Sequence, residues 1–358
     1  MAKNSILEKL KKTVGNVDGF LLSDETNPYK IDEYFDTGCF ILNAALSDGD
    51  IFKGLPLGKR VGVSGPSGVA KSYFMMSIIK SFLERKDNSY AVVFETEGSS
   101  INEMCESLNV DVSRVLVLPV YTVEEFRTQC IRLLDDIKEQ QASSKKNKEE
   151  FPSYIIGVDS LGMLATHKES EDARSGNEKQ DMTRAKIIKS IFRLITLPLA
   201  MTKTPMLIAN HTYGTQELYS RQVTSGGEGF KYATDISMIL SKAQDKVGTE
   251  RTGSVITLTM DKSRFIPEGQ KFKINLSFSK GIHPYSSMIT MAEDLGVIKK
   301  DGHGFILPNG DKVKSTDLKK NIQDYFNEEF MTILRDKIKS KVGFGCQEQD
   351  EFDEEDDE

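Results

Sequence analysis

The chain contains 358 residues, of which 38% are hydrophobic, so it can bury a large core beside a smaller second unit. No apolar stretch approaches the roughly 18 residues that would span a bilayer, and the amino terminus lacks the apolar region of a signal peptide. The four cysteines lack the paired spacing of a zinc site or a disulfide framework. We therefore expect a cytoplasmic protein without a membrane partner.

The net charge of -7 comes from the carboxyl-terminal end. Residues 347–358 contain nine carboxylates and no basic side chain, which leaves 45 acidic against 47 basic residues elsewhere, a balance of +2. A near-neutral body can bind a polyanion through a local basic patch, for which this tail competes. A tail that only improves solubility is the alternative, and disorder of residues 346–358 is expected in both cases.

An amphipathic helix is predicted first, at residues 4–14. Its apolar residues share one face and are Ile6, Leu7, Leu10 and Val14. A helix of this length is not stable alone, so it must pack on its own domain or on a neighbouring subunit. We assign residues 1–33 to this helix and its polar tether.

The next feature, at residues 60–72, is an apolar run that ends in a turn of small residues. A phosphate-binding loop needs inward-pointing backbone N–H groups, a lysine for the β- and γ-phosphates and a hydroxyl for Mg²⁺. The residues predicted to form an ATP site here are Gly65, Pro66, Ser67, Gly68, Val69, Ala70, Lys71, Ser72 and Tyr73. Ala70 replaces the final glycine of the usual pattern, which otherwise matches. A β-branched run before the loop and a helical pattern after it favour this interpretation over a chance lysine in a turn.

Strands and helices then alternate along the chain. The predicted strands are 90–94, 114–120, 154–158 and 206–209, and the predicted helices are 100–108, 122–141 and 183–197, the last ended by Pro198. The runs 236–240, 254–260 and 272–278 follow without helices, which indicates antiparallel edge strands on a mostly parallel α/β sheet. We therefore expect a core domain at residues 34–285 and a small α+β domain at residues 286–345.

An acidic residue, Asp159, directly follows strand 154–158. A carboxylate at the carboxyl end of a strand in a phosphate-loop protein is where Mg²⁺ and its water shell are held. We therefore predict that Ser72 and Asp159 hold Mg²⁺. A helix cap formed by Asp159 and Ser160 is the alternative.

The ordered set of motifs resembles the RecA-type recombination ATPases, and specifically their phage UvsX branch. The stretches that carry the resemblance are 158–165, 171–172, 181–186 and 210–213 within residues 35–290. UvsX-type proteins also lack the final loop glycine. The resemblance implies a RecA-like core and a DNA-dependent ATPase that uses ATP and Mg²⁺.

The resemblance also implies partners and a process. RecA-type proteins form helical filaments on single-stranded DNA, pair it with a homologous duplex and exchange strands. They act in recombination, repair and recombination-dependent replication. A single-strand-binding protein and a recombination mediator are the further partners that the resemblance implies.

Individual residues match functional positions of this family. Glu97 stands where the family keeps the glutamate that activates the attacking water, although Glu95 shares its strand face and competes for this role. His211 matches the γ-phosphate sensor that links the nucleotide to the DNA. Lys262 and Arg264 match basic residues that contact the neighbouring subunit's ATP.

Two long polar loops, at residues 166–180 and 212–228, are expected to face DNA. The residues predicted to bind it through phosphate contacts and base stacking are Arg184, Lys186, Tyr219, Arg221, Gly226 and Gly227. For Arg184 and Lys186, a solvated charge on a helix face is the alternative. Met104 falls where many relatives place an aromatic ring against adenine, so we expect it to line a less selective base pocket.

Two other functions fit part of this pattern. A hexameric helicase-type motor would close the same core into a ring. A recombination accessory protein would bind nucleotide without turnover, which the presence of Lys71, Ser72, Asp159 and Glu97 disfavours.

Deleting residues 347–358 is expected to strengthen binding to single-stranded DNA, because nine competing carboxylates are removed. The gain should be largest at low salt, where charge is least screened. Fluorescence anisotropy of a labelled oligonucleotide, across a salt series, measures the change. Equal affinity of both proteins at every salt concentration would leave the tail as a solubilising segment.

Overall fold

A mixed ten-stranded sheet forms the centre of the computed structural model, which describes residues 2–14, 22, 27, 30–99, 101–176, 183–214, 222–224, 228–247, 250–277 and 281–343. The strands in these ranges are, in chain order, β1 (Tyr34–Phe35), β2 (Leu55–Pro56), β3 (Arg60–Gly65), β4 (Ser89–Glu95), β5 (Val115–Pro119), β6 (Ser153–Asp159), β7 (Met206–Gly214), β8 (Gln222–Thr224), β9 (Ile236–Val247), β10 (Glu250–Lys262), β11 (Lys271–Ser277), β12 (Gly281–Ile282), β13 (Lys299–Asp301), β14 (Gly304–Ile306) and β15 (Lys312–Lys314).

The helices of the same ranges cover both faces of the sheet and extend the chain at each end. They are α1 (Ala2–Thr13), α2 (Phe40–Leu46), α3 (Lys71–Glu84), α4 (Ile101–Leu108), α5 (Val123–Asn147), α6 (His167–Ser175), α7 (Arg184–Met201), α8 (Glu228–Ala233), α9 (Met288–Asp294), α10 (Ser315–Lys320), α11 (Ile322–Tyr325) and α12 (Glu328–Val342). Among the described helices, none has the length and apolar character needed to cross a membrane.

The main sheet has the strand order β12-β11-β10-β9-β3-β7-β6-β4-β5, and β8 pairs with β7 outside this path. The six strands from β9 to β5 are parallel to their neighbours. Strands β10, β11 and β12 continue the sheet in antiparallel pairs. The predicted α/β fold, with a parallel centre and antiparallel edge strands, is confirmed.

The central parallel strands are buried on both faces. Successive side chains of a strand point to opposite faces, so Ile155 of β6 packs in the apolar cluster that contains α3. Ile156 and Val158 of the same strand pack in a second cluster, with Phe126 of α5 and Ile191 of α7. The core is therefore a sheet between two layers of helices, which leaves the strand ends free to form a site.

The small α+β unit is present after β12 and packs on the larger one. Its sheet has the order β13-β14-β15. Buried side chains of α12, such as Leu334 and Ile338, share one apolar cluster with Ile41 of α2. The Lys339 ammonium lies 3.3 Å from a carboxylate oxygen of Asp48. The apolar core is thus continuous between the two units, and the proposed domain boundaries stay a prediction.

The helix predicted to end before Pro198 continues to Met201. Proline lacks the N–H that would bond to the carbonyl of Leu194, but Leu194 is 52% exposed, so water can bind that carbonyl. The backbone N–H of Thr202 donates to the Pro198 carbonyl and closes the helix. The proline is therefore accommodated in the last turn.

Part of the first polar loop is a helix, α6, which the sequence prediction missed. The Thr166 hydroxyl accepts a hydrogen bond from the Glu169 N–H at 3.0 Å, and the Glu169 carboxylate accepts one from the Thr166 N–H at 3.4 Å. This capping box is the same signal that correctly predicted the start of α5 at Thr122. It was overlooked here because α6 has no buried residue and therefore no apolar stripe.

Gly54→Ala is expected to lower the free energy of unfolding by about 3 kcal/mol or more. Gly54 has a φ of +86°, and an added Cβ would lie 2.1 Å from the backbone carbonyl oxygen of Phe35. Gly269→Ala is the matched control, since its φ is +83° but nothing lies within 4 Å of the added Cβ. We expect this control to cost about 1 kcal/mol, the penalty of the left-handed backbone alone. Urea unfolding measures both values, and equal losses would contradict the role of the Phe35 contact.

Candidate nucleotide site

The carboxyl ends of four neighbouring parallel strands bring the predicted catalytic residues together. Gly65, at the end of β3, is in register with His211 of β7. Glu95, at the end of β4, is in register with Asp159 at the end of β6. Because parallel strands end at the same edge of a sheet, residues from four separate parts of the chain meet there.

The phosphate-loop candidate follows β3 and opens α3. Ala70 directly precedes this helix and has a φ of +74°, so it adopts the left-handed backbone that glycine favours at this position. An alanine is tolerated there at a cost of about 1 kcal/mol. No side chain caps the N-terminus of α3, and its first turn contains no acidic residue. The helix terminus is therefore suited to bind an anion.

Lys71, the first residue of α3, is buried under the loop. Its ammonium donates to the carbonyl oxygens of Gly65 at 3.0 Å and Pro66 at 3.1 Å, and lies 3.4 Å from Nδ1 of His211. Burial lowers the pKa of Lys71, although the nearby carboxylates of Glu97 and Asp159 oppose this shift. The lysine is thus held at the phosphate loop, where it can contact a phosphate.

Glu97 lies between two hydrogen-bond donors. Its Oε1 is 2.8 Å from Nε2 of His211 and accepts a hydrogen bond of 2.6 Å from the Ser160 hydroxyl. This places a proton on Nε2 of His211 and leaves Nδ1 to accept from the Lys71 ammonium. Burial alone would raise the pKa of Glu97, but the bonds from Ser160 and His211, with the charge of Lys71, hold it below the ordinary value. Glu97 is therefore an ionised carboxylate at neutral pH.

The competing carboxylate, Glu95, has a different environment. It accepts hydrogen bonds from the backbone N–H groups of Glu97, Gly98 and Ser99, and from the Ser99 hydroxyl. These bonds occupy both of its oxygens and cap the turn that carries Glu97. The geometry thus favours Glu97 over Glu95 as the residue that faces the nucleotide, and assigns Glu95 to supporting the turn.

Thr96 locks the turn to the end of β6. Its hydroxyl oxygen accepts from the Ser160 N–H at 2.8 Å and donates to the Ser160 carbonyl at 2.9 Å. From the sequence, Ser160 is predicted only as half of a possible helix cap. A small hydroxyl residue after the Asp159 strand end was the available signal, but its partner in the neighbouring turn cannot be read from spacing.

Asp159 and Ser72 can provide oxygen ligands for Mg²⁺. Asp159 is 2% exposed, and burial raises the pKa of its carboxyl group while a hydrogen bond from Ser72 opposes that shift. Carboxylate and hydroxyl oxygens suit Mg²⁺, which keeps several waters and uses few protein ligands. The described residues contain no group of three or more His, Cys, Asp or Glu side chains that could hold a metal ion.

Two further residues of the predicted ATP site lie in helices: Tyr73 in α3, and Met104, which is predicted to line the base pocket, in α4. The Tyr73 hydroxyl donates to the carbonyl of Ser277 at 3.3 Å. Met104 is partly buried and packs, like Tyr73, against the cluster on the α3 side of the sheet. The contacts of both residues with the nucleotide stay a prediction.

The two predicted trans residues lie at the opposite edge of the sheet from the phosphate loop. The Lys262 ammonium donates to the carbonyls of Lys231 at 2.8 Å and Thr234 at 2.7 Å, beside the end of α8. Arg264, which is 61% exposed at its side chain, contacts Asp235 at 3.0 Å. Strand β3 has six residues, so its two ends are roughly 16 Å apart. Neither side chain is therefore placed to contact the phosphate loop of its own chain.

The predicted DNA-binding residues have different outcomes. Lys186 is exposed and makes no hydrogen bond to another described residue. The Arg184 guanidinium instead donates to the carbonyls of Leu164 at 2.7 Å, Leu161 at 3.0 Å and Gly162 at 2.8 Å. We therefore interpret Arg184 as a link between α7 and the turn after β6. Tyr219, Arg221, Gly226 and Gly227 lie outside the described residues.

Ser160→Ala is expected to raise the pKa of Glu97, because it removes a hydrogen bond that favours the carboxylate over the protonated acid. As the pH is lowered, the carboxyl group of Glu97 should therefore become protonated at a higher pH in this variant than in the unmodified chain. Carboxyl ¹³C NMR of glutamate-labelled protein measures this, with Glu97→Gln identifying the resonance.

Ser99→Ala is the matched control, since it removes a hydroxyl from Glu95 rather than from Glu97. We expect the pKa of Glu97 to be the same in this variant as in the unmodified chain. Equal shifts in both variants, or none in Ser160→Ala, would contradict the importance of the Ser160 bond.

Known proteins resemble this chain over most of its length, although no protein-family model matches it. It is 35% identical to the recombination and repair protein of Enterobacteria phage T4 over 265 residues, which is 74% of this chain and 64% of the T4 protein. It is 22% identical to the mitochondrial DNA repair protein recA homolog 3 of Arabidopsis thaliana over 348 residues, 94% of this chain and 75% of that protein. Protein RecA of Synechococcus elongatus is 22% identical over 356 residues, 97% of this chain and 91% of that protein.

The phage similarity agrees with the resemblance seen in the sequence motifs, and the RecA similarity extends over nearly the whole chain. The fold adds the mixed sheet that a RecA-like core requires. The chain is therefore similar to the RecA-type recombination proteins and spans somewhat less than two thirds of the T4 protein, at 64% of its length.

Proposed function

We propose that this protein is an ATP-dependent DNA recombinase that forms a helical filament on single-stranded DNA, pairs it with a homologous duplex and exchanges strands. The observation that carries the proposal is the hydrogen-bonded set of Lys71, His211, Glu97 and Ser160 at the ends of neighbouring strands. This arrangement supports a role in ATP hydrolysis, and the similarity to proteins named for recombination and repair supports a role in those processes.

The site residues have separate roles in ATP hydrolysis. The backbone N–H groups of the phosphate loop and the Lys71 ammonium bind the phosphates. Ser72 and Asp159 hold Mg²⁺, which supplies charge stabilisation at the β- and γ-phosphates when bound. Glu97 orients the attacking water, and its lowered pKa makes it a hydrogen-bond acceptor rather than a strong base.

His211 links this chemistry to DNA. It contacts both Lys71 and Glu97, and it lies in β7, whose end pairs with β8 from Thr212 to Gly214. The predicted second DNA loop begins at this hairpin. If nucleotide binding moves Lys71 or Glu97, His211 and the base of that loop would move with it. This is the role of a γ-phosphate sensor.

The separation of the phosphate loop from Lys262 and Arg264 supports a head-to-tail assembly of subunits. Two faces of the same subunit that must meet each other can do so only between successive copies, in a head-to-tail interface. Helix α1 supports this assembly, because its apolar residues Ile6 and Leu10, and Val14 directly after it, are 63%, 55% and 75% exposed. We propose that α1, within the segment 1–33, packs on the adjacent subunit, and that a single-strand-binding protein and a mediator act at loading.

Glu97→Gln is expected to bind ATP but to hydrolyse it at least about a hundredfold more slowly, because the acceptor for the attacking water is lost. Wild type should be strongly stimulated by single-stranded DNA. A coupled assay of ADP release, with and without an oligonucleotide, measures both effects. Activity that is indifferent to DNA would contradict the recombinase assignment, and closed rings in electron micrographs would favour a helicase-type motor.

Mixing variants tests whether the ATP site is shared. Lys262→Ala/Arg264→Ala and Glu97→Gln should each be inactive alone, whereas an equal mixture should regain about a quarter of the wild-type turnover, since a quarter of the interfaces combine the two intact halves. Lys299→Ala/Lys300→Ala is the control, since it removes two exposed cations elsewhere. No recovery in the mixture would show a self-contained site.

A further inference from the structure

Asp235, directly before β9, is a buried carboxylate shared by two arginines. Its Oδ2 accepts from the backbone N–H of Arg60 at 3.1 Å and from Nε of Arg60 at 3.0 Å, and its Oδ1 accepts from Nη2 of Arg60 at 3.1 Å. Oδ1 also lies 3.0 Å from Nε of Arg264. The carboxylate thus binds a structural arginine and one of the two predicted trans residues.

The two arginines differ in their surroundings. Arg60 is 5% exposed and also donates to the Thr196 hydroxyl, so it is fixed inside the protein. It already neutralises the charge of Asp235. Arg264 is therefore not needed to balance the buried carboxylate, and its side chain remains 61% exposed.

The contact with Asp235 uses the Nε atom of Arg264. This leaves both terminal nitrogens of the guanidinium, which bind no other described residue, to contact an anion outside the subunit. A solvent-exposed arginine has many rotamers, and restricting them in advance reduces the entropy that would be lost on binding. The contact therefore holds Arg264 in one orientation while its phosphate-binding end stays available.

The second trans residue is held on the same short segment. Lys262 donates to the carbonyls of Lys231 and Thr234, and Thr234 directly precedes Asp235. Two cations at and just after the end of β10 therefore lie against the turn between α8 and β9.

Burial alone would raise the pKa of Asp235, but the bonds and charge of Arg60, with the charge of Lys59, lower it. The carboxylate is thus ionised at neutral pH.

We propose that Asp235 is a positioning residue for ATP hydrolysis in the neighbouring subunit: it orients Arg264 so that the guanidinium meets the triphosphate bound to the next phosphate loop. The proposal rests on the proposed function, because it needs the shared ATP site. It assigns a role to a residue that does not contact nucleotide itself.

The test uses the full-length chain and the near-isosteric variant Asp235→Asn. It should lower DNA-stimulated ATP turnover by about tenfold or more, since an arginine that is misplaced by about 1 Å loses much of its effect. Its own phosphate loop and Glu97 are intact. In an equal mixture with Glu97→Gln, turnover should rise to about a quarter of the wild-type value. At a quarter of the interfaces, the ATP site of an Asp235→Asn subunit then faces Arg264 of a subunit whose Asp235 is intact.

This recovery separates positioning from folding. A chain damaged in its fold, or in its own ATP site, would not be rescued by a neighbour that cannot hydrolyse ATP. Asp261→Asn is the matched control: Asp261 lies at the same edge and contacts Lys231 at 3.3 Å, but it does not contact Arg264. We expect wild-type turnover from this control.

A surface variant covers the case in which Asp235→Asn does not fold. Arg264→Lys keeps the charge but removes the Nε atom that forms the ion pair with Asp235, and it should lose turnover with the same rescue by Glu97→Gln. Wild-type turnover of Arg264→Lys or of Asp235→Asn would overturn the proposal. The proposal would also be overturned if Glu97→Gln rescued Arg264→Ala but did not rescue Asp235→Asn. That result would leave the shared ATP site supported. Failure to rescue Arg264→Ala as well would overturn both.

Discussion

The parallel register of β3, β7, β6 and β4 is the constraint on which the whole candidate site depends. It places Gly65 level with His211, and Glu95 level with Asp159, although these residues are far apart in the sequence. A slip of one residue in any pair would turn the side chains to the opposite face of the sheet. The buried apolar residues on both faces of the strands prevent such a slip, so the packing of the core also determines the geometry of the site.

Register alone does not place Glu97, which lies two residues beyond the paired end of β4. Its position comes from a turn that is held at two points: the Glu95 carboxylate binds three backbone N–H groups, and the Thr96 hydroxyl binds both polar groups of the Ser160 backbone. Under the proposed function Glu97 orients the attacking water, and a carboxylate with that role must keep its own position. The residues that support Glu97 are therefore as informative about function as Glu97 itself.

Periodicity and strand-end chemistry predicted the sheet, the phosphate loop and the position of Asp159 near Lys71, whereas His211 was predicted from the family resemblance. They did so because helices and strands repeat locally and parallel strands end at one edge. The supporting contacts could not be predicted in this way. Arg60 and Asp235 are 175 positions apart, and Arg184 binds carbonyl groups, which every residue has. Helix α6 was missed for a related reason, since its capping signal lacked an apolar stripe.

One buried strand connects the two halves of the proposed shared site. Arg60 begins β3 and binds Asp235, which holds Arg264, while Gly65 ends β3 and opens the phosphate loop. In a filament, each β3 would therefore lie between the ATP that its own subunit binds and the ATP of the neighbour. The strand is central in the sheet, paired on both sides with parallel neighbours, and thus rigid. Under the proposed function, the two halves of the shared ATP site would therefore be connected within each subunit by one buried strand and the ion pairs at its start.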